Sequence, residues 1–83
     1  METPKPEIRQ FIITNFLFGQ DRGKLKDDES FLDSGIIDST GVLELVGFLE
    51  QRFNIAIDER ELVPDNLDSV ERVSSFIERK LRG

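Results

Sequence analysis

Three serines in this sequence directly follow an aspartate, at positions 34, 39 and 69. Their hydroxyls stand out because the chain contains no cysteine and no histidine. This composition excludes thiolate nucleophiles, structural zinc sites and the usual general base of neutral pH. We therefore predict that the chain is not an enzyme. An aspartate beside a serine is uninformative when it occurs three times, so the surrounding elements must distinguish the three sites.

The first of these elements are a helix and a long loop. Two prolines followed by apolar residues at helical spacing predict a first helix over about residues 6–18, ended by Gly19. The stretch from Gly19 to Asp38 has no sustained period and is punctuated by glycine and serine, which predicts a loop. Four apolar side chains are expected to hold this loop to the core: Leu25, Phe31, Leu32 and Ile36.

A second helix is predicted from about Ser39 to Phe53, with Asp38 as its N-cap. Its apolar residues form one helical stripe that should face the core: Val42, Leu45, Val46, Leu49 and Phe53. The opposite face should carry Thr40, Leu43, Glu44, Gly47 and Gln51, with Phe48 and Glu50 on its borders. Ser39 is thus the one Asp-preceded serine that stands between a glycine-containing loop and an amphipathic helix.

The remainder of the chain predicts two further helices. Asp58 and Glu61 match a capping box, and Pro64 is expected to stop that segment within two turns, so helix three should be short. Asp68 and Glu71 repeat the capping pattern before a helix over about residues 69–81. Its core face should carry Val70, Val73, Ile77 and Leu81. The prediction is a single domain over residues 1–83, an all-α bundle of four helices with a long first loop.

The charge is concentrated in the middle of the chain. The formal net charge of the 83 residues is −6, but residues 27–61 hold ten acidic against two basic residues, a net −8. Such a field repels nucleic acid and attracts basic protein surfaces. No stretch is long and apolar enough for a membrane span, and no secretory signal pattern is present, so we expect a cytoplasmic protein. We also expect a monomer, with basic proteins as its partners.

The run Phe-Leu-Asp-Ser-Gly-Ile-Ile-Asp-Ser at residues 31–39, followed by the amphipathic helix, resembles the acyl carrier protein family. In that family an Asp-Ser pair opens the second helix after a glycine-containing loop. The resemblance continues downstream, because Glu44, Phe53 and Ile57 stand five, fourteen and eighteen residues after the serine, as in fatty-acid-type carriers. It covers essentially the whole chain.

The resemblance implies an acyl-carrier-type bundle with a 4′-phosphopantetheine arm attached to Ser39 as a phosphodiester and Asp38 capping the helix beside it. The distal thiol of the arm would hold acyl or aminoacyl groups as thioesters, which supplies the thiol that the sequence lacks. It implies three kinds of partner: a phosphopantetheinyl transferase, an acyl- or aminoacyl-loading ligase, and downstream acyl-transfer enzymes of fatty acid or secondary metabolite biosynthesis.

One face of helix two resembles the partner-docking surface of this family: Thr40, Leu43, Glu44, Gly47 and Glu50. The sequence also departs from the family pattern. Thr40 follows the serine where an aliphatic residue is usual, Gly41 lies in the first turn, and Asp58 stands where fatty-acid carriers often have proline. Residues 61–69 form a longer segment, more similar to specialised or aminoacyl carriers. We therefore expect a dedicated carrier rather than the general fatty-acid carrier.

Two other functions are compatible with parts of the sequence. The first is a noncatalytic acidic interaction module that never receives an arm. The second is calcium binding by a loop beginning at Asp27, but this loop lacks an acid or amide at its fifth position and a glycine at its sixth, as an EF-hand requires.

Overall fold

A computed structural model describes residues 4–17 and 25–82, and these residues form four α-helices and no β-strand. The elements are α1 (Lys5–Phe16), α2 (Ser39–Phe53), a 3₁₀ turn (Glu59–Glu61), α3 (Pro64–Leu67) and α4 (Val70–Arg82). The prediction of an all-α bundle with a long first loop and a short third helix is confirmed. The predicted stop of helix one at Gly19 lies outside the described residues.

The core draws on every helix and on the loop. Its fully or nearly buried apolar side chains are Ile8, Ile12, Leu25, Phe31, Ile37, Leu45, Leu49, Leu67, Val70, Val73, Phe76 and Ile77. Packing of α4 against both α1 and α3 accounts for much of this burial. In so small a domain each of these side chains contributes a large share of the stabilisation by burial.

Helix α2 begins and ends where the sequence predicts. Asp38 has extended backbone angles, and its side chain accepts a hydrogen bond from the Gly41 amide at 2.7 Å, which is the N-cap geometry. The helix ends at Phe53, and the next residue, Asn54, has a φ of 54°, the left-handed conformation that commonly terminates helices. Leu45 and Leu49 are fully buried, so the predicted core face is the observed one.

The loop before α2 is held to the core, but not by all of the predicted side chains. Leu25 and Phe31 are buried and Ile36 is half-buried, as expected. Leu32 is 46 % exposed, so that prediction was wrong, and Ile37 is buried in the core instead. The reason is that the loop has no regular period, so sequence spacing does not determine which neighbouring apolar residue points inward.

The prediction that Pro64 ends the third helix was wrong. The Asp58 and Glu61 capping box forms, but it encloses only a 3₁₀ turn, and Pro64 is the first residue of α3. Proline is well suited to the first turn of a helix because it has no N–H to leave unpaired there.

The predicted cap and core face of the fourth helix need two corrections. The Ser69 hydroxyl, and not Asp68, accepts the hydrogen bond from the Arg72 amide at 3.1 Å, so Ser69 lies before the first helical residue Val70 as its cap. Asp68 is bonded to the loop instead. Leu81 is 57 % exposed, and Phe76 is buried in the core.

Candidate functional site

Ser39 is the first residue of α2 and is exposed. Its hydroxyl makes no hydrogen bond with any other residue that the structure describes. The side chain is therefore free to carry a group that extends into solvent.

The start of α2 also offers hydrogen-bond donors. The first four amides at a helix start, counted from the N-cap, lack partners within the helix, and in α2 the fifth, that of Val42, makes the first intrahelical bond. The Val42 amide bonds the Asp38 carbonyl at 3.1 Å and the Gly41 amide bonds the Asp38 carboxylate, whereas the amides of Ser39 and Thr40 have no partner in the described part of the chain. Free amides at the positive end of a helix dipole favour a phosphate. These residues therefore fit a phosphodiester on Ser39.

The other two Asp-preceded serines have structural roles. Ser34 is exposed but donates its hydroxyl proton to the Ser30 carbonyl oxygen at 2.6 Å, within a turn and not at a helix start. Ser69 is only 3 % exposed and caps α4. Of the three, only Ser39 combines exposure, an unbonded hydroxyl and free neighbouring amides.

The loop that leads into Ser39 is anchored at the junction of α3 and α4. The Asp68 carboxylate accepts hydrogen bonds from the Ser30 hydroxyl and from the Leu32 amide, the latter at 2.9 Å, and the Asp68 carbonyl accepts one from the Phe31 amide at 2.8 Å. At the other side of the loop, Arg9 of α1 forms an ion pair with Asp27. These bonds link the loop to α1 and to the junction of α3 and α4.

The predicted docking residues lie mostly together. Thr40, Leu43, Glu44 and Gly47 are all exposed on one face of α2, and Leu43 is 63 % exposed. Glu50 differs, because it is half-buried and its carboxylate accepts a hydrogen bond from the Ile57 amide at 2.9 Å. Its carboxylate thus stabilises the turn after α2.

Charge around Ser39 is uncompensated. Residues 28–51 contain six acidic residues and no basic residue. The ion pairs among the described residues all lie outside this segment: Lys5–Asp27, Arg9–Asp27, Arg52–Glu7, Arg60–Asp58, Arg72–Asp65, Lys80–Glu61 and Arg82–Glu78. We call residues 28–51 the acid segment. Its field favours positively charged partners at the face that carries Ser39.

A small apolar cavity of about 80 Å³ lies on the other side of the start of α2. Its lining includes Ile37 and Val42, which lie near Ser39 in sequence, together with Leu62, Val63 and Leu67. A cavity of about 150 Å³ is known to hold a benzene molecule, so this one is too small for a long acyl chain as it stands.

Two features of the site were missed by sequence reasoning. The anchoring of the loop by Asp68 joins residues 36 and 38 positions apart, which no local pattern indicates. The close packing at Gly41 was missed as well, because the sequence shows a glycine in the first turn of the helix but not the side chains that approach it. Among residues 4–17 and 25–82 there is no cluster of three or more metal-ligating side chains. No helix in these ranges is long and apolar enough to cross a membrane.

Comparisons with known proteins agree with this geometry. A family profile described as "Phosphopantetheine attachment site" matches residues 17–77, which is well over half of the chain and includes the whole of α2.

Curated relatives align over most of the chain. The acyl carrier protein of Bdellovibrio bacteriovorus is 31 % identical over 75 residues, which cover 90 % of this chain and 91 % of the relative. The D-alanyl carrier protein of Streptococcus pyogenes serotype M5 is 34 % identical over 73 residues, covering 86 % and 91 %. The D-alanyl carrier protein of Streptococcus suis is 34 % identical over 61 residues, covering 74 % and 76 %.

Proposed function

This chain belongs to the phosphopantetheine-binding carrier family, and we propose that Ser39 is the residue to which its 4′-phosphopantetheine arm is attached. The chain is a carrier protein that holds acyl or aminoacyl groups as thioesters on that arm. The observation that supports Ser39 is its exposed, unbonded hydroxyl beside two free amides at the start of α2.

The attachment step uses the Ser39 hydroxyl as the nucleophile. Its Oγ forms a bond to the phosphorus that carries the pantetheine in coenzyme A, and the bond from that phosphorus to the nucleotide half breaks. The sequence has no histidine, and no carboxylate of the described residues accepts a hydrogen bond from Ser39. The base that takes the hydroxyl proton therefore belongs to the transferase, and the chain contributes position and exposure.

We propose that Thr40, Leu43, Glu44 and Gly47 form the surface that partner enzymes contact, with Glu50 at its border. The exposed Leu43 gives an apolar contact beside the small Gly47, and Glu44 makes no ion pair within the described residues. An uncompensated carboxylate close to Ser39 steers basic enzyme surfaces toward it, and the apolar contact holds them. The transferase, the loading ligase and the acyl-transfer enzymes are the partners that this surface would bind in turn.

We also propose that the carrier is dedicated to one loading enzyme. Thr40 presents a hydroxyl next to the attachment point, so a partner meets a surface different from that of a general fatty-acid carrier.

The attachment proposal is tested by intact mass spectrometry after incubation of the full chain with coenzyme A and a broad-specificity phosphopantetheinyl transferase. Wild type and Ser34→Ala are expected to gain the mass of one phosphopantetheine, and Ser39→Ala is expected to gain none. A full mass gain in Ser39→Ala would show that another residue carries the arm.

The proposal of a dedicated carrier is tested with the arm-bearing protein in a fatty-acid synthase system beside a general acyl carrier protein. A much lower elongation rate on this chain supports a dedicated carrier. Equal elongation rates on both carriers contradict it.

A further inference from the structure

Gly41 occupies a buried position in the first turn of α2, two residues after Ser39. We propose that Gly41 is a positioning residue for arm attachment, because its lack of a side chain lets α1 and the loop close directly on the turn that presents Ser39. The inference rests on the proposed role of Ser39.

The packing at Gly41 leaves no space for a methyl group. A Cβ atom placed there would lie 2.8 Å from Cε1 of Phe16 and 2.9 Å from Cγ2 of Ile37. Both distances are shorter than carbon atoms tolerate without movement. At Gly47, two turns further along the helix, a Cβ would meet nothing within 4 Å. Packing therefore requires glycine at the first position and not at the second.

Ile37 is the neighbour of Gly41 that cannot easily move away, because it is 2 % exposed and its amide is bonded to the Phe31 carbonyl at 3.2 Å. Phe16 is half-buried and packs edge-on against Phe11, with 5.9 Å between the ring centroids. Because Ile37 is held, an added methyl group would displace the first turn of α2 itself.

Displacement of that turn would move the attachment site. The Gly41 amide is the donor to the Asp38 cap at 2.7 Å, and Ser39 lies between these two residues. A shift of Gly41 would lengthen this bond and turn the Ser39 hydroxyl away from its present direction. The docking residues Leu43 and Glu44 lie on the exposed face and keep their surroundings. The inference therefore predicts a loss in the chemical step with little change in binding of the transferase.

The experiment measures kcat and KM for arm transfer from coenzyme A by a broad-specificity transferase, on full-length wild type, Gly41→Ala, Val73→Ala, Phe16→Leu and the double variant Phe16→Leu/Gly41→Ala. The temperature is one at which circular dichroism shows each variant folded. Val73 is a fully buried residue of α4, so Val73→Ala controls for general destabilisation. Misplacement of a reacting group costs about tenfold to a hundredfold in rate, and we expect a kcat loss in that range for Gly41→Ala with KM nearly unchanged.

Phe16→Leu removes the closest ring atom, so it should restore part of the kcat lost in Gly41→Ala. The single variant Phe16→Leu gives an independent result if Gly41→Ala does not fold. Loss of the ring should loosen the first turn of α2, which should lower kcat severalfold without raising KM. The positioning role is overturned if Gly41→Ala and Phe16→Leu both keep the wild-type kcat, or if Val73→Ala loses as much kcat as Gly41→Ala. In either case arm transfer to wild type still stands. A wild type that accepts no arm would instead contradict the proposed function.

Discussion

The acid segment, residues 28–51, and the segment over residues 58–82 differ in how their carboxylates are paired. Of the seven carboxylates in residues 58–82, four pair with an arginine or a lysine: Asp58, Glu61, Asp65 and Glu78. In the acid segment six carboxylates have no basic residue among them and make no ion pair within the described residues. We call residues 58–82 the paired segment.

The difference separates carboxylates that are paired within the fold from carboxylates whose charge is available to a partner. Asp38 and Glu50 of the acid segment accept backbone hydrogen bonds, but the uncompensated charge of the segment opposes the compact state. The paired segment contains α3 and α4, which pack against each other, and the junction between them holds the loop through Asp68. Removal of single carboxylates from each segment should therefore have different effects.

The largest expected effect comes from Asp68, the carboxylate of the paired segment that bonds to the acid segment. Asp68→Ala removes the acceptor for the Ser30 hydroxyl and the Leu32 amide. A hydrogen bond to a charged group contributes about 1.5–3 kcal/mol, and because one of these two bonds is part-buried and the other exposed, we expect a combined loss of about 2–3 kcal/mol in the free energy of unfolding. Urea denaturation followed by circular dichroism measures it.

Asp65→Ala is the matched control for Asp68→Ala. The Asp65 side chain is 94 % exposed and meets Arg72 only at 3.9 Å, so its removal should change the free energy of unfolding by less than about 0.5 kcal/mol. Equal losses in the two variants would show that Asp68 does not anchor the loop.

Within the acid segment, Asp38 and Asp33 should differ. Asp38→Ala removes the N-cap of α2 and should lower the free energy of unfolding by about 1 kcal/mol. Asp33→Ala removes an exposed carboxylate that makes no hydrogen bond in the described part of the chain, and should be neutral or slightly stabilising. Thermal unfolding of both variants compares them, and a larger loss for Asp33→Ala would refute the capping role.

A change in the docking surface should affect the rate of arm transfer more than the stability of the fold. Glu44→Lys should lower kcat/KM for arm transfer severalfold at low salt and weaken its dependence on salt, because the steering field is reduced. The free energy of unfolding should change by less than about 1 kcal/mol, as is usual for an exposed charge.

Glu78→Lys is the control for Glu44→Lys, because it makes the same charge change on α4 beside Arg82. It should leave the transfer rate close to that of wild type. Equal rate losses in both variants would indicate a general effect of net charge and not a docking surface on α2.

The smallest effect on stability is expected from lowering the pH. The amide of Arg60 lowers the pKa of Asp58, with a further contribution from the Arg60 side chain. The amide of Asp58, followed by the Lys80 ammonium, lowers the pKa of Glu61. Because the folded-state pKa values are lowered, the stabilisation is fully present above the ordinary values of 3.8 and 4.5 and is lost as pH falls through the folded-state values.

As the pH is lowered past about 4.5, the ordinary pKa of Glu61, the melting temperature of wild type should therefore decrease. Glu61→Gln lacks one of the two carboxylates, so its melting temperature should fall less steeply over the same interval. Parallel declines in the two proteins would show that the capping box of the 3₁₀ turn does not contribute.

Where the signals were local, the sequence predicted the structure. Helix α2 was predicted with its observed bounds because its apolar period and its cap at Asp38 are both signals within the segment itself. The exposure of Ser39 and the opposite faces of α2 follow from the same periodicity.

Where the outcome depended on distant contacts, the predictions failed. Asp68 and Ser69 are both good capping residues, and Ser69 became the cap because Asp68 bonds to a loop 36 residues away. Pro64 suits the start of a helix as well as its end, and only the preceding 3₁₀ turn decides between them. The need for glycine at position 41 arises from Phe16, which belongs to another helix.

The central claim is that the arm is attached at the start of α2, within the acid segment. The most direct measurement is tandem mass spectrometry of wild-type protein loaded by a transferase and digested after Lys26 and Arg52. The resulting peptide contains Ser30, Ser34 and Ser39, which fragmentation distinguishes. The account predicts that the phosphopantetheine mass is carried by the fragments that contain Ser39 and by none that end before it. Its presence on Ser30, on Ser34 or on a peptide from the paired segment would contradict the account.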